Sequence, residues 1–145
     1  MAAPKWDIKD TERDVLRARF TLWLDTTLAR ASAKCRAQMN DKFSENIPIS
    51  YIAQQCYISE SRLYHLFQNE LQVTPTAYRN ERRIFHSTEL LTSTNNSIEQ
   101  IAFNVGFQSV THFREVFRRF TGLSPAKYRS NFMQNKINVI KSNNN

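Results

Sequence analysis

Apolar residues recur at helical spacing along most of this chain, and no stretch alternates apolar and polar with period two, which predicts an all-α fold. From about Thr11 to Phe43 no Gly or Pro interrupts the pattern. Val15, Leu16, Phe20, Trp23, Leu24, Leu28 and Ala31 form one stripe, and Cys35, Met39 and Phe43 continue it. These positions predict one long helix or two, bounded at Pro48 because proline disfavours helix in the residue before it. The following apolar positions predict short helices over Ile49 to Gln55 and Glu60 to Leu71, the second capped by Ser59. A helix from Pro75 to about Leu91 begins on a proline whose missing N–H costs nothing there. After the polar connector Thr92 to Asn96, helices are predicted near Ser97 to Asn104, Ser109 to Thr121 and Pro125 to about Asn131.

The same pattern occurs twice. Ile52-Ala53, Ile58-Ser59, Leu63, Leu66-Phe67 and Thr74-Pro75 with Tyr78-Arg79 are matched by Ile101-Ala102, Phe107-Gln108-Ser109, Phe113, Val116-Phe117 and Ser124-Pro125 with Tyr128-Arg129. The second copy carries one extra residue where its longer helix begins. Each copy reads as a helix-turn-helix followed by the same punctuation. The two glycines fall at the points of that pattern where positive φ is often required: Gly106 in the turn and Gly122 past a helix end. Their first-copy counterparts are Tyr57 and Gln72, so the first unit is expected to carry backbone strain.

Composition narrows the partners. The chain has 145 residues, 41% of them apolar, and a formal charge of +7, which suits one or two small domains and a polyanionic partner. Bases and acids are interspersed without a polybasic arm, so any nucleic-acid contact depends on which helix faces the charges occupy. No apolar run approaches the length of a membrane span and Met1 to Asp10 read as no signal segment, so a cytoplasmic location is expected. Cys35 and Cys56 occupy apolar helical positions without Cys or His at ligand spacing, and are expected to be buried thiols. No metal or cofactor is expected.

The residues from about Ser32 to Ser130 resemble the DNA-binding domain of AraC/XylS-type bacterial transcription regulators. The strongest likeness is in the second copy, where Ile101-Ala102, Val105-Gly106-Phe107, His112-Phe113, Val116 through Gly122 and Leu123-Ser124-Pro125 with Tyr128-Arg129 follow the family signature. The resemblance implies two helix-turn-helix subdomains (about 49–71 and 97–121) joined by a rigid linking helix (about 75–91), reading adjacent major grooves on one face of DNA. A helix of that length, about 25 Å, would let the recognition helices lie roughly one DNA turn apart, about 34 Å. The domain is expected to span 32–131, with residues 1–31 an amphipathic helix before it and 132–145 a polar tail.

Inward stripes leave defined outward faces. With Leu63, Leu66 and Phe67 buried, Ser61, Arg62, Tyr64, His65 and Gln68 face out. With Phe113, Val116, Phe117 and Phe120 buried, Val110, Thr111, Arg114, Glu115 and Arg118 face out. The positions matching the family's base-contacting sites are Ser61, Tyr64, His65, Val110, Thr111, Arg114 and Glu115. Arg114 suits guanine O6 and N7, Glu115 cytosine N4, and Val110 a thymine methyl. Ser59, Arg62, Gln68, Gln108, Ser109 and Arg118 suit backbone phosphates. Plainer readings stand beside these. Tyr64 and His65 also fit a merely polar surface, and Glu115 also fits an intrahelical pair with Arg118 or Arg119. Arg79, Arg82 and Arg83 read better as a solvated face or an internal ion pair than as DNA ligands, and Tyr78 and Tyr128 as packing residues.

An enzyme would need convergent acid, base or nucleophile groups. His65, His86 and His112 are widely separated, and neither cysteine has the surroundings of an activated thiolate. The expectation is a non-enzymatic, sequence-specific regulator of transcription, an activator that binds double-stranded DNA and engages RNA polymerase. The alternative is a protein-interaction module, or the C-terminal part of a larger regulator whose N-terminal region binds an effector or co-activator. The apolar stripe of residues 1–31 is expected either to pack on the first helix-turn-helix unit or, as the favoured reading, to serve self-association or co-activator contact.

Overall fold

The computed structural model describes residues 30–144 and the isolated positions Val15, Ala18 and Arg19. The expected N-terminal stripe of Leu16, Phe20, Trp23, Leu24 and Leu28 lies outside the described residues. Those described form seven helices and no strand: α1 over 30–41, α2 (Ile49–Gln55), α3 (Glu60–Leu71), α4 (Pro75–Ser93), α5 (Ile98–Asn104), α6 (Val110–Thr121) and α7 (Pro125–Asn143).

Local chemistry explains the helix starts. Ser59, Thr74, Ser97, Ser109 and Ser124 precede α3 to α7, and each accepts a hydrogen bond from the backbone N–H three residues on. That contact satisfies one of the donors a helix start leaves unpaired. Ser97 adds the reciprocal bond from its own N–H to Gln100 Oε1. Helix α2 alone among these starts without a side-chain cap, on Pro48.

Two apolar cores follow the repeat. Cys35, Met39, Ile52, Ala53, Leu63 and Phe67 build the first, sealed by Ile58 and Tyr78. Leu91, Ile101, Ala102, Phe107, Phe113, Val116 and Phe117 build the second, sealed by Phe43 and Tyr128. Helix α4 belongs to both, giving Tyr78 to the first and Ile84 and Leu91 to the second. The duplication extends to ring geometry: Phe67 and Tyr78 meet edge to face at 5.5 Å, Phe117 and Tyr128 at 5.6 Å. Tyr78 and Tyr128 are therefore packing residues, as their equivalent positions implied.

The two turns differ by the extra residue. Ile58 N–H donates to Ala53 O, and Phe107 N–H donates to Ala102 O, so both turns close identically. Gln108 is then the insertion before the cap Ser109. Gly106 and Gly122 have φ of +107° and +76°, and Tyr57 and Gln72 both take φ of +58°. The first unit thus holds two non-glycine residues in the left-handed region, as expected, at a cost of about 1–2 kcal/mol each.

Several expectations require correction. Helix α1 ends at 41 rather than at Pro48, because the carbonyls beyond it are taken by side chains of α4: Arg83 Nε and Nη2 donate to Phe43 O at 2.6 Å and Glu45 O at 3.2 Å, and Arg79 Nη1 donates to Ile47 O. For the same reason Arg79 and Arg83 are neither a solvated face nor members of an ion pair; they grip backbone carbonyls. Helix α7 runs to Asn143, well past Asn131, so the residues read as a polar tail are helical and leave Phe132, Ile137, Val139 and Ile140 exposed. Phe120, assigned inward, is 46% exposed: it lies three residues past Phe117, where the buried stripe of α6 ends, as the equivalent Glu70 does on α3. Cys35 and Cys56 are both buried, as expected, and the structure also brings them side by side in the first core, with Cα atoms 6.0 Å apart. Helical periodicity placed each sulfur in the core but carried no information that α1 and the end of α2 would bring them together.

Candidate nucleic-acid interface

Burial along the two recognition helices is the same position by position. Over 61–70 and again over 111–120, the third, sixth and seventh residues are buried and the other seven exposed. The stripes Leu63, Leu66, Phe67 and Phe113, Val116, Phe117 pin each helix against its core, so the outward face is fixed by packing rather than chosen by the solvent.

On α3 this leaves Ser61, Arg62, Tyr64, His65 and Gln68 exposed on one side, with Tyr64 at 37%. On α6, Thr111, Arg114, Glu115 and Arg118 are exposed, while Val110 is only partly so because it packs against the second core. Val110 thus has less surface for a thymine methyl than the helical wheel alone gives it. Ser59, Gln108 and Ser109 sit at the exposed starts of the two helices. The Ser59 and Ser109 hydroxyls each accept from their own helix, at 3.1 and 3.3 Å. Each still has a proton to donate, which is what a phosphate oxygen requires.

Arg114 reaches Glu99 on α5, Nη2 to Oε1 at 3.5 Å, both side chains more than half exposed. Such a pair contributes under about 1 kcal/mol, so it holds the guanidinium lightly and yields to a stronger acceptor. Neither Arg118 nor Arg119 is paired with Glu115; among the described residues the other such contact is a hydrogen bond between His86 and Glu89. Glu115 is left free for a donor such as a base amino group.

The units are seated on one another through Arg83, 8% exposed. Its guanidinium lies 5.5 Å from the Phe107 ring centre while holding the 43–45 carbonyls. Phe43 stacks on His86 at 4.2 Å and packs against the second core. Burial and the neighbouring Arg79 lower the Arg83 pKa to about 10, which leaves it charged at neutral pH. Arg129 repeats this device at the end of α4, donating from Nε to Leu91 O at 3.0 Å and from Nη2 to Thr94 O at 3.4 Å. Helix periodicity could not reveal these grips, because each joins positions more than thirty residues apart. The repeat of Tyr-Arg after each unit was the one available signal.

No helix among the described residues is long and apolar enough to cross a membrane. No group of three or more His, Cys, Asp or Glu side chains is placed to hold a metal ion among them.

Residues 52–131 match the family model described as a helix-turn-helix domain. The arabinose operon regulatory protein of Escherichia coli (strain K12) is 32% identical over 111 residues, covering 77% of this chain and 38% of that protein. The chain therefore spans little more than a third of the length of that relative. A transcriptional regulator from Chromobacterium violaceum, described as AraC-type, superposes with a TM-score of 0.68 at 27% identity, covering 73% of this chain and 95% of the other. The DNA-binding domain of AdpA, solved in complex with a target DNA, gives 0.68 at 25% identity, covering 72% and 94%. Matching helix order, a shared central helix and the duplicated recognition register all agree with these likenesses, and the chain belongs to the AraC-type helix-turn-helix family of DNA-binding domains found in transcription regulators.

Proposed function

We propose that the chain regulates transcription by binding a specific sequence in double-stranded DNA, laying α3 and α6 in successive major grooves, and that it does so as a cytoplasmic activator without catalysis. The observation that carries this reading is the identical burial register of the two recognition helices on one shared linking helix. A 19-residue α4 is about 28 Å long, close to one DNA turn once the flanking units are added.

Ser61, Tyr64, His65, Thr111, Arg114 and Glu115 read base edges, with Val110 contributing a narrower apolar contact. Ser59, Arg62, Gln68, Gln108, Ser109 and Arg118 hold phosphates. RNA polymerase is the partner an activator requires, and residues 1–31 supply contact with a second copy or a co-activator.

The test is selection of bound duplexes from a random pool, followed by hydroxyl-radical footprinting. Protection should fall in two major-groove segments about ten base pairs apart on one face of the helix. A single protected segment, or salt-independent binding, would sink the two-groove reading.

A further inference from the structure

Between the two units lies an open pocket of about 300 Å³, lined by Asn46, Ile47 and Pro48, by Thr76, Arg79, Asn80 and Arg83 of α4, and by His112 of α6. Its chemistry is one-sided. Arg79 and Arg83 stand one helical turn apart, close enough that Arg79 disfavours the charge on Arg83, and among the described residues neither meets a carboxylate. Like charges at this spacing are normally destabilising. A guanidinium has five N–H donors; Ile47 O takes one from Arg79, and Phe43 O and Glu45 O take two from Arg83. The carbonyls hold both side chains in place while most of their donors remain unused. Thr76, Asn80, Asn46 and His112 add hydroxyl, amide and imidazole groups around the same space.

The pocket also lies where a duplex would pass. Tyr64, on the outward face of α3, is near enough to Arg79 to act on its charge, and His112 is in the first turn of α6. Two recognition helices in successive major grooves leave a minor groove and its flanking phosphates between them.

We propose that Arg79 and Arg83, with Thr76, Asn80, Asn46 and His112, form a preorganised oxyanion site, filled by a DNA backbone phosphate that crosses between the two recognition helices or by a free phosphate or carboxylate. The duplex source rests on the DNA-binding reading above; the site itself does not. An anion here bonds simultaneously to α4 and to the start of α6, so it couples the two units and fixes the register of the duplex between them. Arginine suits the task because its planar fork meets two oxygens at once.

The experiment measures duplex affinity against salt for the full chain, on a selected sequence and on a scrambled one, and thermal shift with inorganic phosphate or acetate in the absence of DNA. Arg79→Gln should weaken both duplexes about tenfold or more and lower the salt slope by about one. Because Arg79 also holds Ile47 O, Thr76→Glu is the companion variant. Thr76 is exposed, and an acid in the first turn of a helix is well tolerated. It should leave the melting temperature of the protein unchanged or slightly raised, neutralise the site in place and reproduce the affinity and slope losses. Those losses identify the occupant as a duplex phosphate. An unchanged slope together with a phosphate or acetate shift that Thr76→Glu abolishes supports the site with a free anion as its occupant. No change in slope and no anion-dependent shift in any protein overturns the proposal. Failure of the parent chain to bind any duplex would count against the DNA-binding reading alone, and the anion titration would still decide the site.

Discussion

Gly106→Ala tests the seat between the two units. At φ of +107°, a Cβ on residue 106 would lie 2.6 Å from Ser44 O, 2.8 Å from Ser44 Cα and 2.9 Å from Arg83 Nε. The left-handed backbone costs an alanine about 1–2 kcal/mol, and forcing a methyl against immobile backbone adds about 1–3 kcal/mol. Reduced freedom of the unfolded chain returns about 0.4–1 kcal/mol, leaving a net loss of about 1–4.6 kcal/mol, centred on about 3. Gly122 is the internal control. Its φ is +76° and an added Cβ meets nothing within 4 Å, so Gly122→Ala should lose only about 1 kcal/mol, the backbone cost less the same offset. Urea unfolding of both variants, with midpoints compared at equal m-values, reads the difference as the cost of the close approach to Ser44. Gly106→Ala should also weaken binding to a two-groove site, because relieving the overlap separates the second unit from the 42–48 connector. Equal losses at the two glycines would refute the claim that residue 106 is glycine because of that contact.

Phe117→Ala should destabilise the chain by about 3–5 kcal/mol, since Phe117 is fully buried between Phe113 and Tyr128; thermal unfolding like that of the parent would overturn the α6 register. Arg114→Ala should cost about 1–3 kcal/mol on a selected duplex and relax preference at one base pair, whereas Glu99→Ala, which removes only a weak exposed partner, should leave that preference in place. Equal losses for Arg114→Ala on selected and scrambled duplexes would assign Arg114 to a phosphate instead. Oxidising the adjacent Cys35 and Cys56 sulfurs to a disulfide, which would close a loop of 21 residues, should raise stability by about 3 kcal/mol; equal urea midpoints for the oxidised and reduced chain would show that the sulfurs are only packed together.

Much of the outward face of each recognition helix was readable because it depends on local rules. Leu63, Leu66 and Phe67 recur at positions that can only share one side of a helix, so Ser61, Tyr64 and His65 had to lie on the other. The same reasoning succeeded for Arg114 and Glu115. It failed at Phe120, which the pattern placed inward but which the second core leaves 46% exposed, and it overstated the exposure of Val110. At the edge of a stripe, burial depends on how far the neighbouring elements extend, and periodicity does not encode that.

The linear order of apolar residues, proline, glycine and serine determined the helices, their caps and the two turns, because each rests on interactions within about four residues of chain. The duplicated motif likewise determined that there are two equivalent units. Tertiary structure alone decided how the units sit together. Arg83 grips carbonyls forty residues away, Gly106 admits Ser44, and Cys35 meets Cys56 across two helices. Arg79 shows the division most plainly: on a helical wheel it is one more surface cation, and only packing turns it toward Ile47, Tyr64 and an open pocket beside a second guanidinium. Such pairings arise from close packing and the satisfaction of buried donors in three dimensions, which sequence separation does not constrain.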